Sequence, residues 1–155
     1  MSPRPGALRW AVKTSFVRYV RVIAAGTCEA TGGAVLGEDD VIEFPLLAAV
    51  ETAGSWELSF GGEVRFLAHH GALDVHLTGL RLTLGPGGGG VSIAAGPERL
   101  TIASLPPAAP AERDGSLRWR ALPPILTAAG APVFGNVYAA GTGLAPLDAD
   151  VPLDS

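Results

Sequence analysis

The stretch Leu8-Arg9-Trp10-Ala11-Val12-Lys13-Thr14-Ser15-Phe16-Val17-Arg18-Tyr19-Val20 changes its period half-way along. Leu8, Trp10 and Val12 share one parity, and Arg9, Ala11 and Lys13 the other. That is the alternation of a strand buried on one face. At Thr14-Ser15 the alternation stops. A hydroxyl there can accept a hydrogen bond from an N–H two or three residues on and so open a helix. From Ser15 onward, Ser15, Phe16, Tyr19, Val22 and Ile23 recur at three- and four-residue steps, which predicts one inward helical face with Arg18 and Arg21 outside it. The expectation is a strand that runs into a short helix carrying a serine, a phenylalanine and a tyrosine inward. A tyrosine packed in a core is the plain reading of Tyr19; a phenol held in place for chemistry is the sharper one.

Outward from this stretch the sequence is built of short alternating runs. Val41 to Leu46 predicts a strand ending near Pro45, at a sheet edge. Trp56, Leu58 and Phe60, then Gly61-Gly62, then Val64, Phe66 and Ala68 predict a hairpin over 55–69 with a two-glycine turn. After His69-His70-Gly71-Ala72, the residues Leu73, Val75 and Leu77 alternate with Asp74, His76 and Thr78. Leu80, Leu82 and Leu84 continue to a glycine-rich tip at 85–90. Further strands are expected around Val91–Ile93, Leu100–Ile102, Leu117–Leu122 and Leu147–Leu153, with a short helix within 125–134 capped by Thr127. These patterns predict an all-β fold of two antiparallel sheets packed face to face as a β-sandwich, with one or two short α-helices, in one domain over 1–155.

Composition limits the function. With 21 glycines and 13 prolines in 155 residues the chain is rich in turns, and its 17 % of charged residues lies below the roughly 25 % usual for soluble domains. Eleven lysines and arginines against fifteen acidic residues, net charge −4, leave no surface suited to a polyanion, so nucleic acid is an unlikely partner. The single Cys28 rules out an intramolecular disulfide and a cysteine-rich zinc site. No apolar run reaches the length of a membrane span, and none follows Met1–Gly6. The sequence as it stands therefore gives the expectation of a cytoplasmic protein; a piece trimmed from a longer precursor would be extracellular or at the cell surface.

The inventory of reactive side chains is short: Tyr19 and Tyr138, His69, His70 and His76, and Cys28. A straight run separates His70 from His76 by roughly 20 Å, and the neighbours His69 and His70 point to opposite faces, which argues against a three-histidine zinc site. Glu38-Asp39-Asp40 reads as a solvated acidic turn. Gly85–Gly90 has no lysine and no following helix, so it is a poor phosphate loop. No Gly-x-Ser-x-Gly elbow or Cys-His pairing nominates a nucleophile. A tyrosine–histidine pair has a physical use: a phenolate is a hard anionic donor that suits ferric iron, and a histidine donating to its oxygen helps keep it deprotonated. Spacing alone does not bring the two together.

Three blocks in order resemble one family. Leu8-x-Trp10-x-Val12-Lys13-x-Ser15-Phe16-x-x-Tyr19-Val20 is similar to the opening signature of the HtaA domain, the haem-binding module of actinobacterial haem-uptake proteins. Val64-x-Phe66-x-Ala68-His69-x-Gly71-x-Leu73-Asp74 resembles its central block. Leu126-Thr127-x-x-Gly130, Phe134-Gly135-x-x-Tyr138-x-x-Gly141 and Pro146-Leu147 resemble its closing block. The chain departs from the pattern at Ala68, Val137 and Ala145. The resemblance implies an all-β fold and one ferric haem b, with Tyr19 as axial ligand to the haem iron and His69 as its hydrogen-bonding partner. His70 is the alternative partner. Ser15 and Phe16 would line the pocket, and Tyr138 would be a second aromatic wall. The implied function is non-enzymatic: haem transport, transfer or storage, with a haem-donor or haem-acceptor protein as partner. Two other readings stand beside it, a β-sandwich interaction module that binds no haem and a haem-dependent, peroxidase-like enzyme. Arg18, Arg21 and Arg65 are unranked candidates to meet the haem propionates.

Overall fold

In the computed structural model, which describes residues 6–37 and 39–153, the alternating start of the quoted stretch is strand β1 (Ala7–Trp10). It lies inside a large sheet. The order is β11 (Ala111–Arg113), β12 (Ser116–Leu122), β14 (Leu147–Pro152), β1, β4 (Ile42–Thr52), β5 (Ser55–Phe60), β8 (Arg81–Leu84), β9 (Gly89–Ala95), β10 (Glu98–Leu105) and β13 (Ile125–Leu126), with β3 (Val35–Leu36) beside β4. A smaller sheet has the order β2 (Thr27–Thr31), β6 (Glu63–Ala68), β7 (Leu73–Thr78). The pairings described are antiparallel, and the two sheets form the expected all-β sandwich.

Alternation decides what each sheet buries. The large sheet sends Leu8, Trp10, Phe44, Leu58, Leu82 and Trp119 inward, and the small sheet sends Val64, Phe66, Val75 and Leu77, into one continuous core. Indole nitrogens need partners when buried. Trp10 donates to the Ala145 carbonyl at 2.8 Å, which ties β1 to the segment that leads into β14.

Three expectations about the strands are corrected. Residues 55–69 are not a hairpin: β5 pairs with β4 and β8 in the large sheet, whereas β6 pairs with β2 and β7 in the small one. Gly61-Gly62 is the step between sheets. Gly62 has φ +81, and a Cβ there would lie 2.5 Å from the Ala34 nitrogen, so the crossing leaves no room for a side chain. The leucine run is likewise cut at Gly79, where β7 of the small sheet gives way to β8 of the large one. Third, Pro45 neither ends its strand nor marks an outer edge. β4 continues to Thr52, pairing with β1 through residues 42–45 and with β5 beyond Leu46. Leu46 N–H donates to the Gly6 carbonyl at 2.9 Å, so the neighbouring proline nitrogen faces away from β1, where β3 has already stopped.

The helix expected over 125–134 is also reduced. Leu126 belongs to β13, and only Ala131–Phe134 forms a helical turn, of the tighter 3-10 type. Thr127 does cap the bend before it, with Gly130 N–H donating to its Oγ1 at 2.9 Å. Pro132 sits at the start of this turn, where its missing N–H costs no helical bond. Of the acidic turn, Glu38 lies outside the described residues. Asp39 Oδ1 accepts from the Val41 N–H at 3.2 Å, and Asp40 pairs with Arg21.

Phe16 joins the layers. Its ring is fully buried, edge-on to Phe66 of β6 at 5.2 Å and to Phe134 of the 3-10 turn at 5.7 Å. Phe16→Ala removes both contacts and leaves a cavity, so it is expected to cost about 3–5 kcal/mol. A urea titration followed by circular dichroism would show the lower midpoint with the slope kept; a midpoint unchanged from wild type would contradict this placement.

Candidate functional site

The chain leaves β1 through Val12, whose φ is +60. Left-handed backbone is costly for a β-branched residue, and Val12 is nonetheless fully buried, with its carbonyl accepting from the Ala145 N–H at 2.8 Å. The turn swings the chain into helix α1 (Thr14–Arg18). Neither Thr14 nor Ser15 caps it. The N-cap is Lys13, whose carbonyl accepts from the N–H groups of Phe16 and Val17. Thr14 and Ser15 are both exposed.

Past Arg18 the helix widens into a π-helical turn over Tyr19–Ile23, with Ala24 N–H donating to the Tyr19 carbonyl at 2.8 Å. One extra residue per turn shifts the angular positions of everything after Tyr19. The predicted inward face is therefore only half right. Phe16, Val17 and Val20 are buried and Tyr19 is half-buried, but Val22 and Ile23 are 71 % and 72 % exposed. Two adjacent aliphatic side chains are presented to solvent at the end of the turn that Tyr19 opens. Helical spacing alone missed them, because a strict 3.6-residue period has no π turn in it.

His69 arrives from the other side. β6 and β7 are joined by the turn His69–Ala72, where His69, His70 and Gly71 have φ of +54, +56 and +88. Ala72 N–H donates back to the His69 carbonyl at 3.1 Å. Three successive left-handed residues, two of them histidines, aim the His69 ring across the gap to the helix. The Tyr19 hydroxyl oxygen and His69 Nε2 lie 2.7 Å apart. A neutral phenol donates to the bare ring nitrogen; a phenolate accepts from a ring N–H. His70 and His69 both line an open cleft of about 520 Å³ that also includes Gly26 and Ala68. His76 is apart from them, exposed on β7 and 3.3 Å from Glu63. Among the described residues no cluster of three or more His, Cys, Asp or Glu is arranged to hold a metal ion.

The Htaa family model matches residues 5–150. The chain belongs to the HtaA family. No curated protein matches it in sequence. Three solved structures from Corynebacterium glutamicum share its fold at 20 % identity. The C-terminal domain of HtaA superposes with a TM-score of 0.84 over 96 % of both chains. The N-terminal domain of HtaA gives 0.82 over the whole of both. The haem-binding protein HtaB gives 0.72 over 96 % of this chain and 92 % of its own.

Within this HtaA domain the remaining predicted residues fall around the pair. Ser15 is exposed one turn before Tyr19 on α1. Phe16 lies beneath and carries Tyr138 edge-on at 6.1 Å. Tyr138 is half-buried and is held by a contact that the sequence did not announce: Lys13 Nζ sits 5.2 Å from its ring centroid and donates to the Gly143 carbonyl at 3.1 Å. Lys13 thus clasps the closing segment of the chain to the helix start. Val137, next to Tyr138, is 53 % exposed.

Cys28 lies on β2 behind the π turn, opposite Phe66, and burial pushes its thiol up to about 11. At neutral pH it is a protonated, weakly reactive group. Native protein at pH 8 is expected to react with iodoacetamide far more slowly than protein unfolded in urea, as read by intact mass; equal rates would contradict the placement.

Proposed function

We propose that this HtaA domain binds ferric haem, with Tyr19 as the axial ligand and His69 donating a hydrogen bond to the phenolate oxygen. The 2.7 Å contact between Tyr19 and His69 carries this reading. A phenol hydrogen-bonded to an imidazole can pass its proton to the ring and stay deprotonated once a cation is bound to its oxygen. The donor set therefore fits ferric iron, which favours hard anionic oxygen. The surroundings fit a flat apolar molecule: Val22 and Ile23, which follow Tyr19 on the π turn, and Val137, beside Tyr138, are open to solvent, while Val35, Leu47, Val50, Ile125 and Leu153 are exposed elsewhere on the chain. Membership of the HtaA family and the fold shared with haem-binding HtaB support the same ligand.

Each residue then has a task that follows from its place. Phe16 fixes the helix so that Tyr19 has one position. The strained turn at 69–71 fixes the imidazole. Lys13 holds Tyr138 and its segment against the helix start. Bound haem would supply a ferric centre with an exchangeable axial bond. Its role is that of cargo: one protein ligand on an open surface can be replaced by a ligand from an acceptor protein, so transport, transfer or storage suits the site better than turnover. His69 is already committed to Tyr19 and is not free for acid–base work on peroxide.

A haemin titration followed by visible absorbance tests this. Wild type is expected to saturate at one haem per chain, and Tyr19→Ala to lose the saturable complex while keeping its circular dichroism. His69→Phe is expected to retain the complex with affinity lowered roughly ten- to hundredfold, the usual effect of removing the group that supports a metal ligand. Absence of saturable binding by wild type, or equal binding by Tyr19→Ala, would leave the chain as a β-sandwich interaction module.

A further inference from the structure

Ferric haem brings two carboxylates as well as iron, and this chain has a net charge of −4. A local cation beside the apolar surface is needed to offset that repulsion. The cations around Tyr19 differ in whether their donors are already in use. Arg65 donates through Nε and Nη2 to the two carboxylate oxygens of Asp74, at 2.9 and 2.7 Å. Arg21 is paired with Asp40. Lys13 is engaged with Gly143 and the Tyr138 ring. Among the described residues Arg18 makes no hydrogen bond or ion pair; it is exposed, and it directly precedes Tyr19.

Position agrees with this elimination. Thr14 and Arg18 lie four residues apart on the outward side of α1, and Val22 follows them beyond the start of the π turn. With Arg21 and Asp40 they line an open cleft of about 620 Å³. Val22 therefore belongs both to the exposed aliphatic pair that follows Tyr19 in the chain and to this cleft, which Arg18 also lines. The Arg21–Asp40 pair offsets the charge of Asp40, the carboxylate that lines the cleft among the described residues.

We propose that the Arg18 guanidinium receives a propionate carboxylate of haem seated at Tyr19, with the Thr14 hydroxyl beside it as a second donor. This rests on the haem reading above and ranks the three arginines that the sequence left unranked. A guanidinium presents a planar fork of N–H donors matched to a carboxylate. The pair is exposed, so its effect is modest: Arg18→Gln is expected to weaken haemin binding roughly three- to fivefold. Glutamine keeps helix propensity at this exposed position.

The test compares haemin with haemin dimethyl ester, whose carboxylates carry no charge, on wild type, Arg18→Gln, Arg18→Lys and Arg21→Gln in one mixed solvent. The assignment predicts a loss for Arg18→Gln with haemin, none with the ester, and partial recovery in Arg18→Lys. Equal losses with both ligands, no loss with haemin, or a haemin-specific loss in Arg21→Gln alone would overturn it while leaving Tyr19-dependent binding intact. If wild type takes up neither ligand saturably, the haem reading itself falls and this assignment falls with it.

Discussion

The burial of Phe16 between the two sheets is the constraint on which the rest of the site depends. Phe66 belongs to the small sheet and Phe134 to the turn that closes the chain, so the ring of Phe16 is where three separate parts of the sequence meet. To bring it there from β1, which is locked between β14 and β4, the backbone has to reverse at Val12 in a conformation that valine resists. Once Phe16 is seated, Tyr19 is only a turn away and has little choice of direction. The second strained segment, His69–Gly71, ends the strand that carries Phe66. Each partner of the 2.7 Å contact is thus tied to a left-handed piece of backbone, Val12 before the helix that carries Tyr19 and the 69–71 turn that holds His69 itself, and each to the same aromatic cluster. Strain of this kind persists only where packing over-determines it.

Much of this was legible in the residues, and the misses have physical causes. Alternation located most of the strands, because burial on one face imposes a period of two, and missed β2, β3, β11 and β13, which are very short or alternate without burying a large side chain fully. It could not say which sheet a strand joins. Gly61-Gly62 and Gly79 serve equally well as hairpin turns or as steps between sheets, and only the contact with Ala34 or Ala94 decides. Pro45 was read as a strand end because proline lacks an N–H; the loss is harmless where no neighbour asks for that donor. In the helix the stripe held for Phe16 and Tyr19, failed at Ser15, which stands exposed in the first turn, and failed for Val22 and Ile23, since the π turn changes the period within ten residues.

The pairing of Tyr19 with His69 was not legible from spacing, since fifty residues and a change of sheet separate them. It came from the resemblance to the HtaA pattern. The geometry adds what a motif does not contain. The charged residues near the helix are divided among partners, with Arg65 spent on Asp74, Arg21 on Asp40 and Lys13 on the closing segment. The thiol of Cys28 is kept protonated by burial and withdrawn from competition for a metal. What is left facing outward is a phenol, an imidazole, a few aliphatic side chains and one arginine, a combination suited to holding a flat, anionic, iron-bearing molecule and giving it up again.

The central claim is that the Tyr19 oxygen is the iron ligand. Resonance Raman spectroscopy of the haemin-loaded protein, excited in the region of phenolate-to-iron charge transfer, reads that bond directly. The account predicts tyrosinate ring modes in wild type that vanish in Tyr19→Phe and persist, shifted, in His69→Phe. A wild-type spectrum without tyrosinate modes, or one unchanged in Tyr19→Phe, would contradict it.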